Sequence, residues 1–330
     1  MISREIRLAS RPTGEPSQEN FELAKVNLPE PAEGQILVRN TWMSVDPYMR
    51  GRMDDAESYI PPFQIGAPLE GSAVGEVIAS NDPGIPAGAT VTHFLGWREH
   101  VLMDAADAVV IDTAIARPQD YLGALGTTGL TAYLAVTEIA PVKEGNIVFV
   151  SGAAGAVGSV AGQLARRFGA AKVIGSAGGP EKTRSLVEDF GFDVAIDYRT
   201  GALAEQLAEH APEGVDVYVD NVGGDHLEAA IDALKVHGHA ALVGMISGYN
   251  APVPGPRNIY SAVTKRLTLR GVLVSDHLDR FPEYIGKAAG WLADGTLHTE
   301  ETVVEGLENA PEAFFGVLRG ANTGKMLVRL

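Results

Sequence analysis

The 330-residue sequence predicts an α/β chain, in which a doubly wound parallel sheet stands beside a mostly antiparallel β domain. Three observations carry that expectation. From about Thr127 onward, apolar strands alternate with amphipathic helices, the rhythm of a parallel sheet. Before that point the apolar stretches are short and punctuated by Gly and Pro, as in an irregular antiparallel sheet. Within the second regime a glycine-rich segment, Ser151–Gly158, joins a strand to a helix.

The elements are legible in order. Gln35–Asn40, Gly71–Ser80 and Ala89–His93 read as strands of the first domain. Ile147–Ser151, Ala171–Ser176, Asp193–Asp197, Val215–Asp220, His239–Ile246 and Leu267–Val274 read as strands of the second. In Ala156–Phe168, Val157, Val160, Leu164 and Phe168 recur at helical spacing; Gly169 stops the helix, and Arg166 and Arg167 complement the dipole of its last turn. A helix over Pro180–Phe190 opens on proline and is followed by Gly191. His237-Gly238-His239 reads as a helix end capped by Gly238 rather than as a metal pair. Lys325–Leu330 is a short strand expected to return to the first domain, giving 1–125 with 300–330 as one domain and 126–299 as the other.

Composition removes several function classes. With no cysteine there is no disulfide, thiolate zinc site, iron–sulfur cluster or cysteine nucleophile. A formal charge of −16 without a Lys/Arg block argues against nucleic acid and against an anionic membrane surface as partners. The charge-free run Gly145–Ala165 is 21 residues long, but its five glycines and five alanines suit a tight strand–turn–helix better than a lipid-facing span. Residues 1–12 scatter charges where a signal peptide needs an apolar core, so a cytoplasmic location is expected.

The glycine segment carries the chemistry. Gly152, Gly155 and Gly158 are spaced GxxGxxG rather than GxGxxG, yet each keeps a physical task. Gly152 permits the turn, Gly155 admits a pyrophosphate close to the backbone, and Gly158 lets helix and sheet pack tightly. The helix N-terminus then offers N–H groups to an anion. A site for NAD normally places an acid at the end of the second strand, to accept the ribose hydroxyls. Here Val173–Pro180 holds none, and Lys182 follows in the first turn of the next helix. With Tyr198 and Arg199 after the third strand, this predicts NADP(H) over NAD(H).

Read together, these residues resemble the medium-chain dehydrogenase/reductase superfamily. Within it they are similar to the zinc-independent prostaglandin reductase (leukotriene hydroxydehydrogenase) and plant alkenal double-bond reductase group. The resemblance covers nearly the whole chain and rests on Ser44–Met53, Gly129–Tyr133, Ala153–Gly158, Asp220–Gly224 and Gly320–Lys325. It implies a Rossmann domain, a GroES-like catalytic domain built from both termini, and a homodimer. It implies that Gly152, Ala153, Ala154 and Gly155 meet the pyrophosphate, with Ala156, Val157 and Gly158 also binding the cofactor. Lys182 and Tyr198 would meet the adenosine 2′-phosphate. Ser176, Asn221, Val243, Gly244, Met245, Ile246, Ser247, Tyr249, Leu273 and Val274 would line the cofactor, and Asn322 would reach the nicotinamide side. Tyr48 and Tyr260 match substrate-pocket tyrosines, with the bland reading for Tyr48 that it caps an interface. Two departures border the substrate space: Thr127-Thr128 where relatives carry Met-Pro, and the proline-rich loop Gly248–Arg257.

The metal-dependent branch needs Cys and His ligands, whereas this chain reads Pro68-Leu69-Glu70-Gly71 where that branch has Gly-His-Glu-Gly. The chemistry the resemblance implies is metal-free hydride transfer to the β-carbon of an α,β-unsaturated ketone or aldehyde. The enolate would be held by Tyr260 and the nicotinamide ribose, and the α-carbon protonated from solvent or Tyr260. A quinone reductase on the same scaffold, and a non-catalytic dinucleotide-binding protein, stand as the alternatives.

Overall fold

A computed structural model describes residues 1–330, which divide into two compact units. The first comprises Met1–Leu122, Glu301–Asn322 and Met326–Leu330; the second comprises Gly123–Glu300 and Thr323–Lys325. No helix is long and apolar enough to cross a membrane.

In the first unit, β1 (Ile2–Leu8) and β2 (Phe21–Asn27) pair antiparallel as a separate two-stranded sheet. A seven-stranded sheet contains β3 (Gln35–Ser44), β4 (Ala73–Ser80), β5 (Thr90–His93), β6 (His100–Asp104) and β7 (Val109–Val110). The C-terminal segment completes it with β14 (Glu301–Glu305) and β15 (Lys325–Arg329), the latter antiparallel to β3. A one-turn helix α1 (Met49–Arg52) and helix α9 (Ala310–Leu318) pack on a core of Met43, Met49, Met53, Leu69, Trp97 and Phe314. Trp97 is wholly buried, stacked 6.0 Å from Phe21 and edge-on to Phe314 at 6.2 Å.

His93 on β5 is buried, bonded to Asn40 Oδ1 through Nε2 at 2.9 Å, and accepts the Leu95 N–H at Nδ1 at 3.0 Å. Burial lowers its pKa from 6.5 to about 4, aided by the nearby Arg98 charge. Between those two pH values the unfolded chain binds the proton that the folded chain refuses. Stability is therefore unaffected above pH 6.5 and falls as pH drops through the window, by about 3 kcal/mol in total. Urea unfolding of wild type and His93→Gln at pH 7.5 and 4.5 should show a steeper acid loss in the wild type; equal losses would contradict this.

The second unit begins with α2 (Thr127–Leu134) and then builds six parallel strands: β8 (Ile147–Val150), β9 (Lys172–Ala177), β10 (Val194–Asp197), β11 (Val215–Asp220), β12 (Leu234–Leu242) and β13 (Thr268–Gly271). The spatial order β10-β9-β8-β11-β12-β13 is the 3-2-1-4-5-6 arrangement of the Rossmann fold. The connecting helices are α3 (Ala156–Arg167), α4 (Pro180–Glu188), α5 (Leu203–His210) and α6 (Gly224–Ala233), followed by α7 (Tyr260–Thr264) and α8 (Phe281–Ala293). Val148, Phe149 and Val150 are wholly buried, as the central strand of a sheet covered on both faces requires.

Three sequence expectations need correction. Helix α6 ends at Ala233, because Leu234 is already extended and pairs with Val215. His237-Gly238-His239 therefore lies inside β12, in an irregularity where the pairing jumps from Val215–Leu234 to Val217–His239. His237 takes φ 66° there and gives its N–H to Lys265 O at 2.8 Å, so Gly238 is not a helix cap. Strand β12 also stops at Leu242 rather than Ile246, since the N–H groups of Val243 and Gly244 both turn to Asp220 O. The last strand is shorter than Leu267–Val274, at Thr268–Gly271.

Candidate active site

The β8–α3 turn lies where the strand order reverses, at the carboxyl ends of β8 and β11, the place where doubly wound sheets take ligands. Gly152 holds φ 57°, in the left-handed region that glycine alone enters without strain. Gly155 is the N-cap of α3 and has no side chain with which to cap it, so the first turn keeps its N–H groups free of any side-chain acceptor. At Gly158 a Cβ would lie 2.7 Å from Ala153 Cα, so only glycine lets this helix approach the turn. Ala153 gives its N–H to Ser176 O at 2.9 Å, and Ala154 O accepts Gly324 N–H at 2.7 Å; both alanines are buried and shape the cradle from within.

A polar network invisible in any local motif holds the turn. Asp220 is buried, and its Oδ1 accepts bonds from Tyr218 Oη (2.7 Å), Ser151 Oγ (3.1 Å), Val222 N (3.0 Å) and Gly223 N (2.8 Å). Burial, then the Asp220 charge, holds the Tyr218 phenol well above its ordinary pKa. Asn221 ties the two strand ends together: its N–H reaches Ser151 Oγ at 3.0 Å and its Nδ2 reaches Ser151 O at 2.7 Å. The segment after β12 folds onto the same turn. Val243 N and Gly244 N bond Asp220 O, and Ser247 N and Oγ bond Val222 O. A Cβ at Gly244 would lie 3.4 Å from Tyr249 Oη, and burial raises the pKa of that phenol. Met245 and Ile246 lie in this segment, and Leu273 and Val274 follow β13 at the same end of the sheet.

The end of β9 forms the second part of the site. Gly179 takes φ 96° as N-cap of α4, and its N–H bonds Asp197 Oδ1 at 3.0 Å. Asp197 Oδ1 also accepts Arg199 N–H at 3.0 Å, so this carboxylate oxygen is engaged by two backbone donors. A Cβ at Gly178 would lie 2.7 Å from both Tyr198 Oη and Arg199 Nε. Lys182 stands on the first turn of α4; partial burial, then the neighbouring Arg199 charge, lowers its pKa. Two cations held close together gain from an anion between them. Ser176, at the end of β9, is buried with its Oγ lacking a hydrogen-bond partner.

The geometry fits a phosphorylated dinucleotide: a helix N-terminus without a side-chain cap, a cradle that side chains would fill, and two cations with a phenol where an acid would otherwise meet a ribose. Lys182 and Tyr198 thus share one corner, and the residues around Gly152, Asn221 and Ser247 share the other. Sequence reasoning passed over Ser151, Tyr218 and Asp220, whose mutual approach depends on sheet order. It also passed over Gly178, for which the absent acid in Val173–Pro180 was the available signal.

Tyr48 and Asn322 belong to the first unit, and Tyr260 to the second. Tyr260 opens α7 and is 72% exposed. Tyr48 precedes α1 and packs against the first unit's core; its Oη is buried without a partner, and burial, then the Asp46 charge, pushes its pKa well up. It therefore keeps its proton at neutral pH and can donate a hydrogen bond. An unsatisfied buried hydroxyl costs about 1–3 kcal/mol. Tyr48→Phe should thus melt at or above the wild-type Tm, while turnover falls if the hydroxyl meets substrate. A lower Tm would show that it is bonded in the folded protein. Asn322 lies two residues before Gly324, in the loop after α9.

Glu70, in Pro68–Gly71, is paired with Arg52 Nη2 at 2.8 Å, and Arg52 lies 4.0 Å from the Phe63 ring centroid. The stretch that stands where the metal-dependent branch carries Gly-His-Glu-Gly therefore holds an ion pair, in a chain with no cysteine.

Residues 4–111 match the family model described as the N-terminal domain of oxidoreductase, and residues 156–290 match the one described as zinc-binding dehydrogenase. The chain is 38% identical to the NADPH-dependent curcumin reductase of Escherichia coli, across 98% of this chain and 95% of that protein. It is 36% identical to the NADP-dependent 2-alkenal reductase of Nicotiana tabacum, across 99% and 97%. The crystal structure of CurA from Vibrio vulnificus in complex with NADPH superposes with a TM-score of 0.93 at 39% identity, covering 99% of this chain and 98% of that one. With relatives of that identity along its whole length, a Rossmann unit and no thiolate to hold zinc, this chain belongs to the zinc-independent medium-chain dehydrogenase/reductases, in their quinone and enone reductase group.

Proposed function

We propose that this protein is an NADPH-dependent reductase of the carbon–carbon double bond of α,β-unsaturated ketones and aldehydes. The observation that carries the cofactor half is the corner after β9, where Gly178, Lys182, Tyr198 and Arg199 converge. The substrate half is supported by the curcumin and 2-alkenal reductases that the chain resembles along its length.

The residues that would hold NADPH are the Gly152–Gly158 turn for the pyrophosphate, and Lys182, Tyr198 and Arg199 for the 2′-phosphate. Asn221, Val243–Tyr249, Leu273, Val274 and Asn322 would surround the rest. When bound, NADPH supplies the hydride. The protein's own work is to place the enone and to hold the charge that appears on its oxygen. Tyr48 suits the second task, as a phenol that burial keeps protonated. Tyr260, exposed at the start of α7, is the other proposed donor and one route for a proton to the α-carbon. Removing such a donor costs about 10²-fold in kcat. Tyr260→Phe assayed on a small enone should show a loss of that order with the NADPH KM preserved; full turnover would remove Tyr260 from the scheme.

A homodimer belongs to the same proposal. The edge strand β13 leaves Thr268, Arg270 and Gly271 exposed, with Ile259 and Val263 exposed nearby in sequence on and before α7. An unpaired edge of this kind is a ready template for a second copy. A cytoplasmic location is also proposed, as the compartment that supplies NADPH to such a reductase. Sedimentation at micromolar concentration tests the dimer.

A further inference from the structure

Resting on the NADPH reading above, we propose that His226 is a positioning residue for the 2′-phosphate corner, its ring holding the Tyr198 phenol over Gly178. Tyr198 is 40% exposed and follows the end of β10, where an unsupported side chain would sample several rotamers. His226 is buried on the first turn of α6 and meets Tyr198 edge to face, with ring centroids 5.2 Å apart and planes at 77°. That is the preferred geometry for an aromatic pair. On its other side Tyr198 Oη lies, with Arg199 Nε, at the position a Gly178 Cβ would fill.

His226 is itself held firmly. Its N–H bonds Gly223 O at 3.1 Å, and Gly223 N–H bonds the buried Asp220 Oδ1 at 2.8 Å. The Asp220 network that ties β8 to β11 thus also fixes the start of α6, and from there one ring reaches the loop after β10. Besides the Ala153 N–H bond to Ser176 O, the His226 ring thus links the pyrophosphate turn to the phosphate corner.

The contribution comes from the ring and not from charge. Nε2 is buried without a hydrogen-bond partner. Burial lowers the pKa against the opposing pull of Asp220 and Asp225, and the N-terminal end of α6 also disfavours a cation. A neutral ring that makes no bond through Nε2 should be replaceable by phenylalanine.

The test is the dissociation constant of NADPH and of NADH, by fluorescence titration, for wild type, His226→Ala and His226→Phe. His226→Ala should raise the NADPH Kd by about 3- to 10-fold, an edge-to-face contact's worth. The NADH Kd and kcat at saturating NADPH should stay at wild-type values, and His226→Phe should restore NADPH affinity. Should His226→Ala fail to fold, His226→Leu fills the space without a planar edge and should show the same selective loss. An unchanged NADPH-to-NADH ratio in the folded variant, or a phenylalanine variant as weak as alanine, would overturn the role of His226. A wild type that prefers NADH would overturn the cofactor reading instead.

Discussion

Gly158→Ala should destabilise the protein by about 1–3 kcal/mol and weaken NADPH binding at least tenfold, although alanine is the better helix former by about 1 kcal/mol. Overpacking decides the sign. The new Cβ would lie 2.7 Å from Ala153 Cα and closer still to Gly152 O, both backbone atoms of the turn, so the turn or α3 must move. Gly155→Ala is the graded control: its Cβ would lie 3.3 Å from Gly152 O, a tight contact that a small shift relieves. Gly286→Ala and Gly290→Ala on α8 are the opposite control, since a Cβ there meets nothing within 4 Å. Those two should gain about 0.5–1 kcal/mol each from propensity alone. Urea unfolding of the four variants, with NADPH titration, gives the order directly. A Gly158→Ala protein as stable as the α8 variants would contradict the packing described for the turn.

Lys182→Ala combined with Arg199→Ala should reduce the preference for NADPH over NADH by about 10²-fold, roughly tenfold for each charge-assisted contact after solvent screening. The single variants should not be independent. Burial, then the Arg199 charge, lowers the pKa of Lys182 in the free protein, so the two cations are coupled and their losses should not simply add. A pH dependence follows with the same sign. Because the Lys182 pKa is lowered, NADPH affinity should begin to fall at a lower pH in the wild type than in Arg199→Ala as pH rises. Specificity constants with both cofactors measure the effect. Equal losses for NADH and NADPH would mean that these residues shape the turn and do not meet a phosphate.

How much of this the sequence could reveal depends on whether a task is local. The glycine spacing, the missing acid and Lys182 all fall between Gly152 and Lys182, and a strand–turn–helix reading was enough to find them. The Asp220 network was not local: Tyr218 Oη reaches Ser151 Oγ across 67 positions, and only the sheet order β8-β11 brings them together. The His237–His239 segment misled because Gly238 resembles a helix cap, while the pairing of Leu234 with Val215 had already ended the helix. His226 carries no local signal, because its contact with Tyr198 appears only when α6 packs beside the end of β10. The tripeptide Thr323–Lys325, after α9, groups with the second unit, where Gly324 N–H bonds Ala154 O and Lys325 N–H bonds Glu300 O. Those backbone bonds leave no compositional trace.

The central claim is that this chain moves a hydride from NADPH to a carbon–carbon double bond. The most direct measurement mixes the protein with NADPH and a panel of linear enones, enals, aryl enones and a benzoquinone, follows absorbance at the nicotinamide band, and identifies the products by mass and NMR. The account predicts one NADPH oxidised per enone, giving the saturated ketone with its carbonyl intact. NADPH binding without consumption across the panel, or turnover confined to the quinone, would contradict it.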